Sequence, residues 1–332
     1  MKKILALLLA LVMVLALTAC GGSGNSNGST DAAESYNIGV IQLIEHPALD
    51  MASQGFMDKL EELLAADGIE VSFDYQNAQG EPANCATIAN QMVSNGVDLI
   101  LANATAALQA AAAATATIPI LGTSITDYAT ALDISAEEWT GASGTNISGT
   151  TDLADLEQQA AMIAELCPVA DNPNAGILYC SAEANSVFQA TEVKTHLEAL
   201  GYNVTEYTFA DSNEIASVTQ TACDNCDVLY IPTDNTAANA TSAIDNVALP
   251  AGVPIIAGEE SIMAGCGIAT LSISYYNLGV AAAEIAYDVL VNGADISTMQ
   301  IQGAPQVKKY YAERCDALGI TVPEDYEAYV AE

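Results

Sequence analysis

The chain is short of positive charge. Lysine and arginine together number 7 against 42 aspartates and glutamates, a formal net charge of -35 at pH 7. So strong a polyanion has too few cations for counterion release on a phosphate backbone. Nucleic acid is therefore excluded as a partner, and anionic lipid headgroups repel the chain. Phosphate, sulfate and nucleotides are poor ligands for the same reason. The acids are spread along the chain, which is the pattern of a solvated surface that keeps a protein soluble.

Histidine is scarcer still, with His46 and His196 the only two. There is no Gly-rich phosphate loop, no nucleophile elbow, and no Ser/His/Asp or Cys/His set that two histidines could serve, so an enzyme is not expected. No second ligand pair has metal spacing, so neither a metal nor any other cofactor is expected. Beyond Cys20 there are seven cysteines, Cys85, Cys167, Cys180, Cys223, Cys226, Cys266 and Cys315, an odd number that cannot all pair internally. Cys223 and Cys226 are the one pair close enough in sequence to suggest a disulfide. They precede a strand, whereas a thioredoxin-like redox pair follows one and opens a helix.

Long apolar runs are missing except at the start, where Ile4 to Leu17 follows Met1, Lys2 and Lys3 and leads into Leu17-Thr18-Ala19-Cys20. That run is shorter than the roughly 20 residues a spanning helix needs, and it has the basic flank and small-residue exit of a cleaved export signal. Residues 1–19 read as that signal, with a lipobox. Cys20 then becomes the first mature residue, carries a diacylglycerol, and holds the protein on the outer side of the cell membrane. Residues 20–35 contain GGSGNSNGST (Gly21 to Thr30), too poor in apolar side chains to fold, and read as a tether.

About 300 residues remain from Tyr36, a length that two packed domains fill better than one. Short apolar runs alternate with helical periodicity throughout, the pattern of parallel sheets flanked by helices, so the fold class is α/β. In the first half, strands are expected at Tyr36 to Ile44, Ile69 to Tyr75, Val97 to Ala102, Ile118 to Leu121 and Trp139 to Ser143. Helices are expected at Asp50 to Ala66, Pro82 to Ser94 and Thr105 to Thr115. The pattern restarts after Gly141 to Thr151 with helices Leu153 to Leu166, Ala184 to Leu200, Glu214 to Ala222 and Thr236 to Val247. Its strands are Gly176 to Cys180, Tyr202 to Phe209, Val228 to Ile231, Val253 to Ile256 and Ile268 to Ile273. The halves also repeat one another: Val97-Asp-Leu-Ile-Leu-Ala and Cys226-Asp-Val-Leu-Tyr-Ile each lead through a polar turn to an alanine-rich helix. Aligning Asp98 with Asp227 sets Thr105 opposite Asp234 and Ala106 opposite Asn235. Ligands of open parallel sheets bind outside the carboxyl ends of the strands, so function is expected between the halves.

Five runs carry a family resemblance: IGVIQLIEHPALD (Ile38 to Asp50), DYQNAQGEPANCATIANQMV (Asp74 to Val93), VDLILANATAALQAAA (Val97 to Ala112), LYCSAEANS (Leu178 to Ser186) and LYIPTDNT (Leu229 to Thr236). The chain resembles ABC-importer substrate-binding proteins of the tryptophan/tyrosine type, over essentially all of its folded part. The resemblance implies two Rossmann-like lobes with parallel sheets joined by a three-crossing hinge, the type I periplasmic-binding-protein-like fold. Lobe one is placed at 36–143 plus 275–302 and lobe two at 144–274 plus 303–332. The crossings are put at Gly144 to Thr150, Ser272 to Tyr275 and Gln300 to Gln306. It further implies a monomer that takes an aromatic amino acid and hands it to ABC permease and ATPase subunits; a sensing module for a membrane receptor or kinase is the alternative. One departure is Tyr128, since family members usually read Thr-Asp-Pro where this chain has Thr126-Asp127-Tyr128.

An amino acid presents a carboxylate, an ammonium and a side chain. Without arginine, the carboxylate needs hydroxyls and backbone N–H groups at helix N-termini, for which Thr105, Ala106, Thr123, Ser124, Asn185 and Ser186 are candidates. The loop around Asp127 and the turn at Asn235 also belong to the expected cleft. The ammonium needs a desolvated carboxylate, with Asp234 first, Glu259 second and Asp152 third; Asp234 and Asp152 could equally be helix caps. For the side chain, Glu45, His46 and Pro47 follow the first strand, and Tyr275 or Tyr276 near the second crossing offers an aromatic face.

Overall fold

The computed structural model describes residues 35–168 and 173–330; the export signal, Cys20 and the tether fall outside them. The first lobe runs β1 (Ser35–Gln42), α1 (Pro47–Ala66), β2 (Glu70–Asn77), α2 (Pro82–Asn95), β3 (Leu99–Asn103), α3 (Thr105–Ala114), β4 (Ile120–Ile125), α4 (Tyr128–Ala131) and β5 (Ile147–Thr151). Its sheet is parallel throughout, in the order β2-β1-β3-β4-β5. The central strands β3 and β4 are buried along their whole length, as strands covered by helices on both faces must be. The first helix begins at Pro47, three residues before the expected Asp50, because proline is well suited to a first helical turn.

Trp139 to Ser143 is not a strand. The Trp139 N–H donates to the Ser135 carbonyl in a turn, and its ring stacks on Tyr128 at 6.4 Å between centroids. The edge strand comes later, at Ile147–Thr151, and pairs with β4. Residues 147–151 therefore belong to the first sheet. Tyr128 is buried, with its hydroxyl on the Thr150 carbonyl at 3.1 Å. Gly122 gives it room, since a Cβ there would stand 2.4 Å from that hydroxyl. The residue that departs from the family pattern is thus a core side chain of lobe one.

The second lobe runs α5 (Leu156–Leu166), β6 (Asn174–Cys180), α6 (Ala184–Ala199), β7 (Asn203–Phe209), α7 (Ile215–Cys223), β8 (Val228–Ile231), α8 (Asn235–Asn239), α9 (Thr241–Ala251), β9 (Ile255–Ala257), α10 (Glu260–Cys266) and β10 (Ala269–Ile273). The single helix expected over Thr236 to Val247 is two, parted at Ala240. The chain then crosses back at Ser274, which caps α11 (Tyr275–Leu290) through a bond from the Asn277 N–H. This helix packs on α1 of the first lobe almost backbone to backbone, for a Cβ on Gly279 would meet the Ala52 carbonyl oxygen at 2.0 Å. A return segment bonds to β5 through Thr151 N–H to Gln302 O at 2.8 Å. Then β11 (Gln306–Tyr310), α12 (Ala312–Leu318) and β12 (Glu327–Ala328) complete the second lobe. Its sheet has the order β12-β11-β10-β9-β8-β6-β7, antiparallel only where β10 meets β11.

The internal repeat is structural. Asp98 and Asp227 stand just before β3 and β8, where the Asp98 carboxylate accepts the Asn37 N–H at 2.7 Å and the Asp227 carboxylate accepts the Asn174 N–H at 2.8 Å. Each aspartate thereby ties the third strand of its lobe to the start of the first. The seven described cysteines are all unpaired, Cys223 and Cys226 included. Among the described residues no helix is long and apolar enough to cross a membrane.

Candidate functional site

The carboxyl ends of β1, β3 and β4 open toward those of β6, β8 and β9. The lobes touch there. His46 Nε2 lies 3.3 Å from Asn235 Oδ1, and Asn239 Nδ2 donates to the Glu45 carbonyl at 2.8 Å. Beside these contacts lies a cleft of about 760 Å³, walled by both lobes and lined among others by Thr105, Ala106, Cys180, Glu183, Asn185 and Asn235. A volume of that order suits a small molecule.

Lobe one presents open helix ends and unpartnered polar atoms. The residues at the N-caps of α1, α2 and α3, namely His46, Glu81 and Ala104, make no side-chain capping bond, so N–H groups at these ends remain for a ligand. Thr105 is the first residue of α3 rather than its cap, and Ala106 follows it. Among the described residues, four buried side-chain polar atoms lack a hydrogen-bond partner, and three belong to lobe-one strand ends: His46 Nδ1, Asn103 Oδ1 and Ser124 Oγ. Ala104 and Ser124 also hold positive φ angles, 86° and 56°, which side chains other than glycine adopt at a cost. Burial lowers the His46 pKa, an effect partly offset by its bond to Asn235. Thr123 is occupied, accepting the Thr150 hydroxyl at 3.1 Å. Asn103 is fixed by Nδ2 bonds to the Leu49 carbonyl at 2.8 Å and Ser53 Oγ at 2.9 Å, while Ser53 donates to Gln42 at 2.7 Å. That network holds the start of α1 against the ends of β1 and β3.

Lobe two presents carboxylates instead. Asp234 is the N-cap of α8, accepting the Ala237 N–H at 2.7 Å, and its second oxygen takes the Cys180 N–H at 2.7 Å. Burial raises its pKa and the Glu183 charge adds to that, while bonds from Cys180, Ala237 and Ser186 pull it down. Glu259 is the N-cap of α10, bonding the Ser261 and Ile262 N–H groups at 2.6 and 2.7 Å; burial pushes its pKa up to about 7. Asp152, just past β5, is no cap, since Asp155 caps α5. It accepts the Tyr275 hydroxyl at 2.7 Å and the Thr126 hydroxyl at 3.1 Å, and burial raises its pKa too. Asn185 donates to the Thr233 carbonyl at 2.9 Å.

Two candidates stand apart. Asp127 caps the short α4 through the Thr130 N–H, and the Glu45 side chain is exposed, with only its carbonyl in use. Tyr276 points away to Asp58 on the surface, while Tyr275 is buried with its hydroxyl on Asp152. The sequence reading passed over Glu183, whose carboxylate bonds Asn235 Nδ2 at 2.6 Å and Thr236 Oγ1 at 2.7 Å. It also passed over Asn103, a polar residue closing an otherwise apolar strand, LILAN. All five described Lys and Arg residues pair with acids outside this group: Lys59 with Glu62, Lys194 with Glu206, Lys308 with Glu165 and Asp325, Lys309 with Glu260, and Arg314 with Asp245.

The family of ABC transporter substrate binding proteins matches residues 37–331. The chain belongs to that family. A tyrosine-binding protein of Clostridioides difficile is 36% identical over 295 residues, covering 87% of this chain and 84% of that one. Among solved structures, the ABC domain of Streptococcus pneumoniae in complex with L-Trp is 30% identical, with a TM-score of 0.81 over 88% of this chain and 97% of that one. The ligand-free, open structure of a substrate binding protein with adhesive properties from Clostridium difficile is 31% identical, covering 90% and 100%, yet its TM-score is 0.66. This substrate-binding protein has the type I periplasmic-binding-protein-like fold with its lobes in contact.

Proposed function

We propose that this chain binds an aromatic amino acid between its lobes and presents it to the permease and ATPase of an ABC importer from the outer side of the membrane, held there by a lipid on Cys20. The observation that carries the reading is the composition of the cleft. Glu183 lines it from one lobe and the uncapped helix start at Thr105 and Ala106 from the other, and no lysine or arginine among the described residues lines it. A zwitterion supplies both missing charges, and relatives described as binding tyrosine or holding L-Trp support the aromatic side chain. Thr105, Ala106, Ser124, Asn185, Asn235 and Tyr275 would line its path, with Asp152 and Glu259 at its charged end.

In this reading the lobes are 36–151 with 275–302 and 152–274 with 303–332, and they part about the three crossings to admit solute. A ligand that bridges them stabilises the closed form by its differential affinity for that form. No bond is made or broken, so ligand recovered after incubation is unchanged. The test is a thermal-shift screen of the purified protein against the common amino acids, sugars, peptides and purines. A ligand at 100 times its Kd adds about 2.7 kcal/mol, enough to raise Tm by several degrees. A rise with tyrosine or tryptophan is expected; a rise with a sugar or purine alone would discard the ligand class. Cys20→Ala should release the protein from membranes, and a variant that still partitions into them would discard the anchor.

A further inference from the structure

Glu183 stands at the start of α6 yet serves a different helix. Its side chain makes no capping bond to α6. It crosses instead to α8, where Oε2 accepts the Asn235 N–H at 3.0 Å, and Oε1 accepts the Thr236 N–H at 2.9 Å and the Thr236 hydroxyl at 2.7 Å. Asn185 Nδ2 donates to Oε2 as well, at 3.2 Å. A carboxylate ringed by donors in this way acts only as an acceptor.

The same Oε2 takes the Asn235 side-chain Nδ2 at 2.6 Å, and that bond decides which way round the Asn235 amide lies. Nδ2 must face the carboxylate, so Oδ1 faces lobe one, where it stands 3.3 Å from His46 Nε2. A carbonyl oxygen can only accept, so the proton of the neutral imidazole must sit on Nε2. The other tautomer would set two lone pairs face to face across the junction. It would also bury an Nδ1–H with nothing to accept it, for His46 is 6% exposed and its Nδ1 has no partner among the described residues. Burial favours the neutral ring, although the Asn235 bond and the Glu183 and Asp50 charges pull the other way. Asn239, one helical turn from Asn235, adds a second bond between the lobes, to the Glu45 carbonyl. The short α8 therefore reaches two consecutive residues of lobe one, and Glu183 holds its first turn.

We propose that Glu183 is a positioning residue for lobe closure: through the Asn235 amide it holds His46 in the Nε2–H tautomer, so that the lobes meet with a donor already facing an acceptor. This rests on the reading of the lobes as parts that close on a solute. Glu183 lines the cleft, so water takes its place when the carboxylate is removed. Water donates as readily as it accepts, the amide is then free to turn, and the lobes can meet mismatched.

The chain has only two histidines, so NMR of untagged protein carrying nitrogen-labelled histidine reads the tautomer directly, and His196→Gln assigns the signals. Wild-type protein, alone or with L-tyrosine, should show His46 with its proton on Nε2 and slow to exchange. Glu183→Ala should bring in the Nδ1–H form or an averaged signal. Thr236→Val takes one donor from Glu183 but leaves the amide bond, so it should lower Tm without moving the tautomer. Should Glu183→Ala fail to fold, Glu183→Met, which keeps the stem and removes both oxygens, is held to the same change. In calorimetric titration with L-tyrosine, Glu183→Ala should weaken binding by about fivefold on its own but by less than about twofold in a His46→Ala background, because the two residues act on one bond. A wild-type ring that averages between tautomers in both samples, a tautomer that survives loss of the carboxylate, or additive losses in the two backgrounds overturns the assignment. Wild-type protein that does not bind L-tyrosine overturns the ligand class alone, and the tautomer then decides the role of Glu183.

Discussion

The two lobes share a strand order and an aspartate clamp at the start of the third strand, yet they differ at the end of that strand, where Asp234 caps α8 while α3 begins without a side-chain cap. In lobe one the helices after β1, β2 and β3 begin without a side-chain cap, and His46, Asn103 and Ser124 each keep a buried polar atom unpartnered. In lobe two the helices after β8 and β9 are stoppered by Asp234 and Glu259, whose charge is offset by backbone N–H groups. Repeated architecture therefore fixes where a site lies without fixing its chemistry. The contrast is confined to the third strand, since α6 of lobe two also starts without a side-chain cap and α4 of lobe one is capped by Asp127.

The most disruptive change is expected where lobe one depends on chain from beyond lobe two. Gly279→Val places side-chain atoms against the Ala52 carbonyl and should force α11 off α1, at a cost of about 3 kcal/mol or more. Thermal unfolding should show a large fall in Tm; an unchanged curve would mean the two helices separate easily. Next comes the acidic wall. Asp234→Ala removes a cap and strands the buried Cys180 N–H, which should destabilise the protein by about 2–3 kcal/mol. Denaturant titration measures it. A loss below about 0.5 kcal/mol would show that lobe two does not rely on its stoppers.

Proton linkage separates the walls further. Burial raises the Glu259 pKa from 4.5 to about 7 and raises that of Asp152, so the folded protein holds protons that the unfolded chain releases. Their contribution is whole below about pH 4 and is lost as pH climbs through the folded values. Ligand-free protein should therefore lose several degrees of Tm between pH 5 and pH 8, and Glu259→Gln should flatten that slope. His46 acts in the opposite sense. Its pKa is lowered by burial, so its contribution is present above 6.5 and fades as pH falls below that. A Glu259→Gln profile parallel to wild type would show that this carboxylate is not held as its surroundings require.

Much of this was legible in the sequence, because parallel strands buried on both faces read as apolar runs and the glycine after α2 marks its end. The repeat even placed Thr105 and Asp234 at equivalent turns. What escaped was decided by partners distant in sequence. Ile147–Thr151 is polar enough to read as linker, and only its pairing with β4 and with Gln302 makes it a strand. Asp234 and Asp152 are both aspartates at a strand end. Which one is consumed by its own backbone depends on the Cys180 N–H, 54 residues from Asp234, and on the Tyr275 hydroxyl, 123 residues from Asp152. Glu183 was missed because its partners, Asn235 and Thr236, lie on a different strand turn.

The mildest change tests whether the meeting of the lobes is chemical or merely steric. Glu45 and His46 are adjacent and both touch lobe two, but by different means. Glu45 contributes its carbonyl to Asn239 while its side chain is exposed, whereas His46 contributes its ring to Asn235 and is 6% exposed. Glu45→Ala should leave ligand affinity unchanged within about twofold, since surface substitutions away from packed groups cost little. His46→Ala removes a bond made only when the lobes meet and leaves a hole at their junction. Ligand affinity should fall by about fivefold, close to 1 kcal/mol, through a lower population of the closed form. Titration of both variants with the same ligand measures the difference. Equal affinities would mean that closure rests on the ligand alone and that the lobe-to-lobe bonds are incidental.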